Sequence, residues 1–131
     1  MPDLTPELGV TDIAHSLAFY RDVLGFAVVY DRPDEGFAYL RYEGCELMLD
    51  QIGVGRTWQT GPLEPPLGRG MNLQCAVNSL DALLGPLAAA GIALYLPVET
   101  RAYRVGGQTL SQRQFCVRDP DGYLLRFCEA A

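Results

Sequence analysis

Histidine is nearly missing from this sequence: His15 is the only one among 131 residues. The chain therefore has little access to the commonest general base at neutral pH and the commonest side-chain ligand for a divalent metal. His15 itself falls one turn into an expected helix, off that helix's apolar stripe, and reads as a solvated surface histidine. Cysteine is sparse too. Cys45, Cys75, Cys116 and Cys128 form no C-x-x-C pair, which argues against a structural zinc site. With apolar neighbours they read as reduced core residues of a cytoplasmic protein. No apolar run approaches the roughly 18 residues that span a membrane. The opening segment MPDLTPELGV has no basic stretch followed by an apolar one, so no secretory leader is expected. Basic residues are outnumbered, ten against 16 acidic, for a net charge of −6. Phosphate backbones demand clustered cations, so nucleic acid is excluded as a partner, whereas a cationic ligand would be drawn in.

What is present is a core. Hydrophobic residues make up 49% of the chain, and the length fits one domain, residues 1–131. A strand is expected over 7–11. Asp12 then caps a helix carrying Ile13, Leu17, Tyr20 and Leu24 at helical spacing, ended by Gly25. A β-rich run follows at 26–32, a turn at 33–36, and a hairpin of 37–44 with 45–52 around Glu43-Gly44. Residues 53–70 are rich in glycine and proline, show no periodicity and read as a long functional loop. Beyond it come a strand at 71–77 and a helix capped by Ser79 that carries Leu80, Leu83, Leu84 and Leu87. Pro86 should kink or split that helix. A strand at 92–99, an irregular stretch at 100–109 and a closing hairpin at 113–129 complete the chain.

The order is β-α-β-β-β, twice over. Val10 and Val77 stand 67 positions apart and Gly25 and Gly91 stand 66 apart, whereas Phe37–Phe115 and Gly44–Gly122 are each separated by 78. Two pseudo-repeats, about 1–66 and 67–131, follow, the second longer by about 12 residues between Gly91 and Phe115. The fold class expected is α+β, two βαβββ modules with curved mixed sheets.

Val10 to Phe26 reads V-T-D-I-x-x-S-L-x-F-Y-x-x-x-L-G-F, and Asp119 to Phe127 reads D-P-D-G-Y-L-L-R-F. These segments resemble the opening signature and closing hairpin of the vicinal-oxygen-chelate (glyoxalase, bleomycin resistance protein and dioxygenase) superfamily. The resemblance implies two modules bent around a cleft, in which the enzymes hold a divalent metal through four equivalent positions. Those positions are here Thr5, Met48, Asn72 and Arg126, where the enzymes place His, Glu or Gln. A guanidinium cannot ligate and repels a cation, so no metal and no other cofactor is expected.

Within the superfamily the chain looks most like the bleomycin resistance proteins, which the resemblance describes as metal-free binders of a bulky cationic glycopeptide in clefts at a homodimer interface. Pro6 before the first strand and Q-F-C-V-R-D-P-D-G (Gln114 to Gly122) carry that likeness. It places Phe37 at a cleft aromatic. Trp58, the only tryptophan, is either an anchor for its loop or a ligand platform, and Tyr103 stands open in the same way. Asp50 and Glu64 are the candidate carboxylates for a cationic tail. Ser111 departs from the pattern, because the resistance proteins have an aromatic there. The expectation is thus a small-molecule binder and not an enzyme. The alternatives are an enzyme of the same fold (lyase or dioxygenase) with non-standard ligands, or a carrier of an unrelated metabolite.

Overall fold

Period-2 alternation decides which face of each strand is buried, and the computed structural model, which describes residues 2–56 and 58–131, bears this out. Two four-stranded mixed sheets form. The first holds β1 (Glu7–Val10), β2 (Ala27–Arg32), β3 (Phe37–Tyr42) and β4 (Cys45–Gln51) in the order β1-β4-β3-β2. The second holds β5 (Asn72–Ala76), β6 (Leu96–Val105), β7 (Gln108–Arg118) and β8 (Leu124–Ala130) in the order β5-β8-β7-β6. In each sheet the first strand runs parallel to the last and the remaining pairs are antiparallel. This is the expected α+β architecture of two βαβββ modules.

Leu8, Val10, Leu40, Leu47 and Leu49 of the first sheet share one core with Cys75, Phe115, Val117, Leu125 and Phe127 of the second. Helix α1 (Ile13–Leu17) is capped by Asp12, whose carboxylate accepts from the Ala14 and His15 amides. It runs on into a wider π-helical stretch, Ala18–Val23, that turns Phe19 and Tyr20 into the core. His15 is exposed, as expected. Gly25 and Gly91 follow their helices with positive φ.

Three expectations need correcting. Helix α2 (Asp81–Ala89) is not split at Pro86. Leu83 and Leu87, on either side of the exposed Pro86, are both buried in the core, and that packing holds the helix in one piece. Its first amides are satisfied by Ser79 Oγ and by the Glu129 carboxylate, which accepts from Leu80 N at 2.9 Å. The stretch 100–109 is not irregular: β6 and β7 form one long hairpin closed at Gly106-Gly107, and this lengthening accounts for the extra residues of the second half. Nor are all four cysteines reduced. Cys45 at the start of β4 is bonded to Cys75 on β5, linking the two modules, while Cys116 and Cys128 are free and buried.

Candidate ligand-binding site

The alternation that buries Ala38, Leu40, Leu47 and Leu49 turns their neighbours Phe37, Tyr39, Met48 and Asp50 to the other face of the first sheet. Phe37 and Tyr39 are only 4% and 2% exposed, yet neither belongs to the common core. They are covered from their own side. Tyr30 on β2 stacks on Tyr39 with ring centres 5.2 Å apart and planes 16° apart, and lies 5.8 Å from Phe37. The Arg32 guanidinium lies 4.0 Å over the Phe37 ring and pairs with Glu35. Tyr39 donates its hydroxyl to Glu46 at 2.8 Å.

Asp50 is the ladder partner of both Phe37 and Gly9, and Met48 that of Tyr39 and Glu7. Parallel pairing of β1 with β4 thereby brings Glu7 and Asp50, far apart in sequence, onto one face. With Gly9, Ile52, Trp58, Leu63 and Tyr123 they line a pocket of about 130 Å³. Burial, and next the Asp50 charge, raise the pKa of Glu7, against weaker opposing pulls from Arg32 and the Trp58 side chain. Burial likewise raises Asp50, with Arg32 pulling down and Glu35 up. Trp58 is 66% exposed and carries the Arg56 guanidinium 4.0 Å over its ring. It belongs to the loop 53–70, whose neighbouring Thr57 lies outside the described residues.

The six residues singled out in the sequence do not form one cluster. Asp50 and Trp58 line one pocket at the first sheet, and Phe37 is the ladder partner of Asp50. Glu64 is exposed and lies instead on a shallow surface with Pro62, Leu63, Pro66 and Arg69. Tyr103 on β6 and Ser111 on β7 line a separate cavity on the second sheet, with Gln74, Val105, Leu110, Gln112 and Arg126. Glu7, Tyr30, Tyr39 and Arg32 were missed, although the alternation of β2 and β3 already marks the three β2–β3 residues as sharing a face.

The residues at the positions expected to correspond to metal ligands do not fit a divalent ion. Met48 pairs with Glu7 and Arg126 with Gln74 across their ladders, with Thr5 and Asn72 one pleat earlier. A thioether and a guanidinium are no substitutes for carboxylate or imidazole donors. Among the described residues no three His, Cys, Asp or Glu side chains are grouped to hold a metal ion.

The model of the Glyoxalase/Bleomycin resistance protein/Dioxygenase superfamily matches residues 5–127. The chain belongs to this superfamily. The superfamily's description names resistance proteins beside dioxygenases, so it spans binders and enzymes alike. A protein of unknown function from Agrobacterium tumefaciens str. C58 is 28% identical, with 100% of this chain and 95% of that one covered and a TM-score of 0.73. TioX from Micromonospora sp. ML1 is 21% identical over the full length of both chains, with a TM-score of 0.74, a likeness of fold alone. A superfamily member from Vibrio splendidus 12B01 is 40% identical over 97% of each chain, with a TM-score of 0.43. No curated protein matches the chain. Among the described residues no helix is long and apolar enough to cross a membrane.

Proposed function

We propose that this superfamily member is a single-domain small-molecule binder, without catalytic role or bound metal, that sequesters a flat cationic ligand of bleomycin type in clefts of a homodimer. One observation carries the reading. Tyr30, which is exposed, caps Phe37 and Tyr39 on the face turned away from the core, the same face as Glu7 and Asp50, two carboxylates whose pKa values burial raises. Arg32 offsets only part of the cost of burying these acids, and a ligand cation between Glu7 and Asp50 adds to that offset. Arg32 already covers Phe37, so the ring left open to a planar ligand is Tyr30. Each ring contact contributes about 0.5–1.5 kcal/mol and each cation–ring contact about 0.5–2 kcal/mol, so stacking dominates affinity and the acids set selectivity.

Each sheet has one face on the shared core and one open face. Tyr30 on the first and Val105 and Leu110 on the second are exposed, surfaces that a second copy would cover. Glu64, Tyr103 and Ser111 lie off this ring face, Glu64 on the 53–70 loop and the other two on the second sheet.

The test is calorimetric titration with bleomycin, paired with Trp58 emission. Binding well below about 1 mM with a change in emission is expected. Asp50→Asn should weaken affinity about tenfold, the loss of one charge-assisted contact. Trp58→Ala, followed by calorimetry, separates platform from anchor: an unchanged affinity makes Trp58 an anchor only. Absence of heat and of any change in emission overturns the drug-binding reading.

A further inference from the structure

The second sheet has an open face of opposite character. Leu125 and Phe127 of β8 enter the core, so Arg126 between them points the other way, into the cavity of about 300 Å³ lined by Gln74, Tyr103, Leu110, Ser111 and Gln112. Its Nε is buried with no hydrogen-bond partner, and among the described residues Arg126 makes no ion pair. A guanidinium never loses its charge in a protein, so an unmet N–H there is a standing demand for an acceptor.

The polar groups around it are arranged as donors. Gln114, on the same face, is 3% exposed and hydrogen-bonded at both ends of its amide: its Nε2 donates to Tyr103 Oη at 2.6 Å and its Oε1 accepts from Gln112 Nε2 at 2.9 Å. Because Tyr103 Oη already accepts, its own proton is free to be given away. Gln112 likewise keeps a second N–H. Glu99, the ladder partner of Gln114, makes no ion pair with Arg126 among the described residues. Three donors, one of them charged, thus line a cavity with no carboxylate in its wall. This is an exception in a chain of net charge −6, and all ten of its basic residues are arginine.

We propose that this cavity is a binding site for a small oxyanion group, a carboxylate or a phosphate, held by Arg126 with Tyr103 and Gln112. The site is distinct from the ring face of the first sheet and takes the opposite charge, so it stands whether or not that face binds cations.

The experiment follows the arginine Nε–H signals of isotopically labelled protein by NMR while inorganic phosphate, or separately benzoate, is added. Sodium chloride serves as the ionic-strength control. The Arg126 signal is identified by its loss in Arg126→Lys. A saturable shift of that signal, absent with chloride, is expected with at least one anion. The two arms distinguish phosphate from carboxylate as the preferred group. Tyr103→Phe keeps the ring and removes the donor, and should weaken the anion about tenfold. Asp50→Asn should leave it unchanged. No shift of the Arg126 signal with either anion overturns the proposal and leaves Arg126 to water alone. A shift that is the same in Tyr103→Phe and in Gln112→Ala overturns it too, since the anion would then be meeting an isolated arginine and not a built cavity.

Discussion

Asp119 joins the two modules through a single carboxylate. It accepts from the Tyr20 hydroxyl at 2.7 Å and from the amides of Asp121 and Tyr123 at 2.9 Å. The same turn sends the Tyr123 hydroxyl to Gly9 O and receives Thr11 on Asp121. The D-P-D-G motif is thus a clasp between the turn before β8 and the β1–α1 corner. Burial raises the pKa of Asp119, and the Tyr20 hydroxyl is the largest opposing influence. Tyr20→Phe should cost about 1–3 kcal/mol, because it leaves a buried carboxylate short of a donor. The sign of its pH dependence follows from the raised folded-state pKa. The stability such a group confers is full below its unfolded value and is lost as pH rises through the folded one. Removing Tyr20's hydroxyl raises the folded value further. The deficit of the variant in urea unfolding should therefore be larger at neutral pH than near pH 4, and an equal deficit at both would refute the role given to Asp119. At this scale the sequence was readable where a residue acts locally, as with the Asp12 cap and the exposed His15. It was not readable where partners come from far along the chain. Glu7 meets Asp50 only because β1 pairs in parallel with β4, and no local pattern announces that pairing.

At the scale of elements, alternation and helical spacing located both modules, and the family motifs located their ends. The failures lie where local chemistry and tertiary context part. Residues 100–105 mix Arg101 and Arg104 with Ala102, Tyr103 and Val105 and bury no continuous face, yet the ladder to β7 makes them a strand. Pro86 is tolerated because leucines on both sides are held by the core. The Cys45–Cys75 bridge was unreadable because cysteine spacing does not determine pairing. Joining β4 to β5 across a sequence separation of 30, it should stabilise the fold by about 3–4 kcal/mol through loss of unfolded-chain entropy. Reductant should lower the unfolding midpoint of the native chain and leave that of a Cys45→Ser, Cys75→Ser double variant where it was. A native midpoint indifferent to reductant would show that the bridge adds no stability.

At the scale of the whole molecule, charge and open surface act together. Each chain carries −6, and a dimer would carry twice that. Tyr30 and Trp58 offer exposed neutral stacking surface, while Glu7, Asp50 and the wider acidic field act only on charge. The two contributions have different sensitivities to salt. The screening length falls from about 30 Å at 0.01 M to about 10 Å at 0.1 M, so the long-range attraction of a cation fades while ring contact at van der Waals distance does not. Raising ionic strength over that range should slow association of a cationic ligand several-fold, as read by stopped-flow Trp58 emission, and change its dissociation much less. A neutral aromatic ligand of the same shape should associate at a rate indifferent to salt. Sedimentation at micromolar concentration should show a dimer in both conditions, because the surfaces left open on the two sheets are apolar at Tyr30, Val105 and Leu110. A monomer there would leave those apolar surfaces uncovered and overturn the proposed homodimer. A salt effect of equal size on the neutral ligand would show that the field does not steer binding at all.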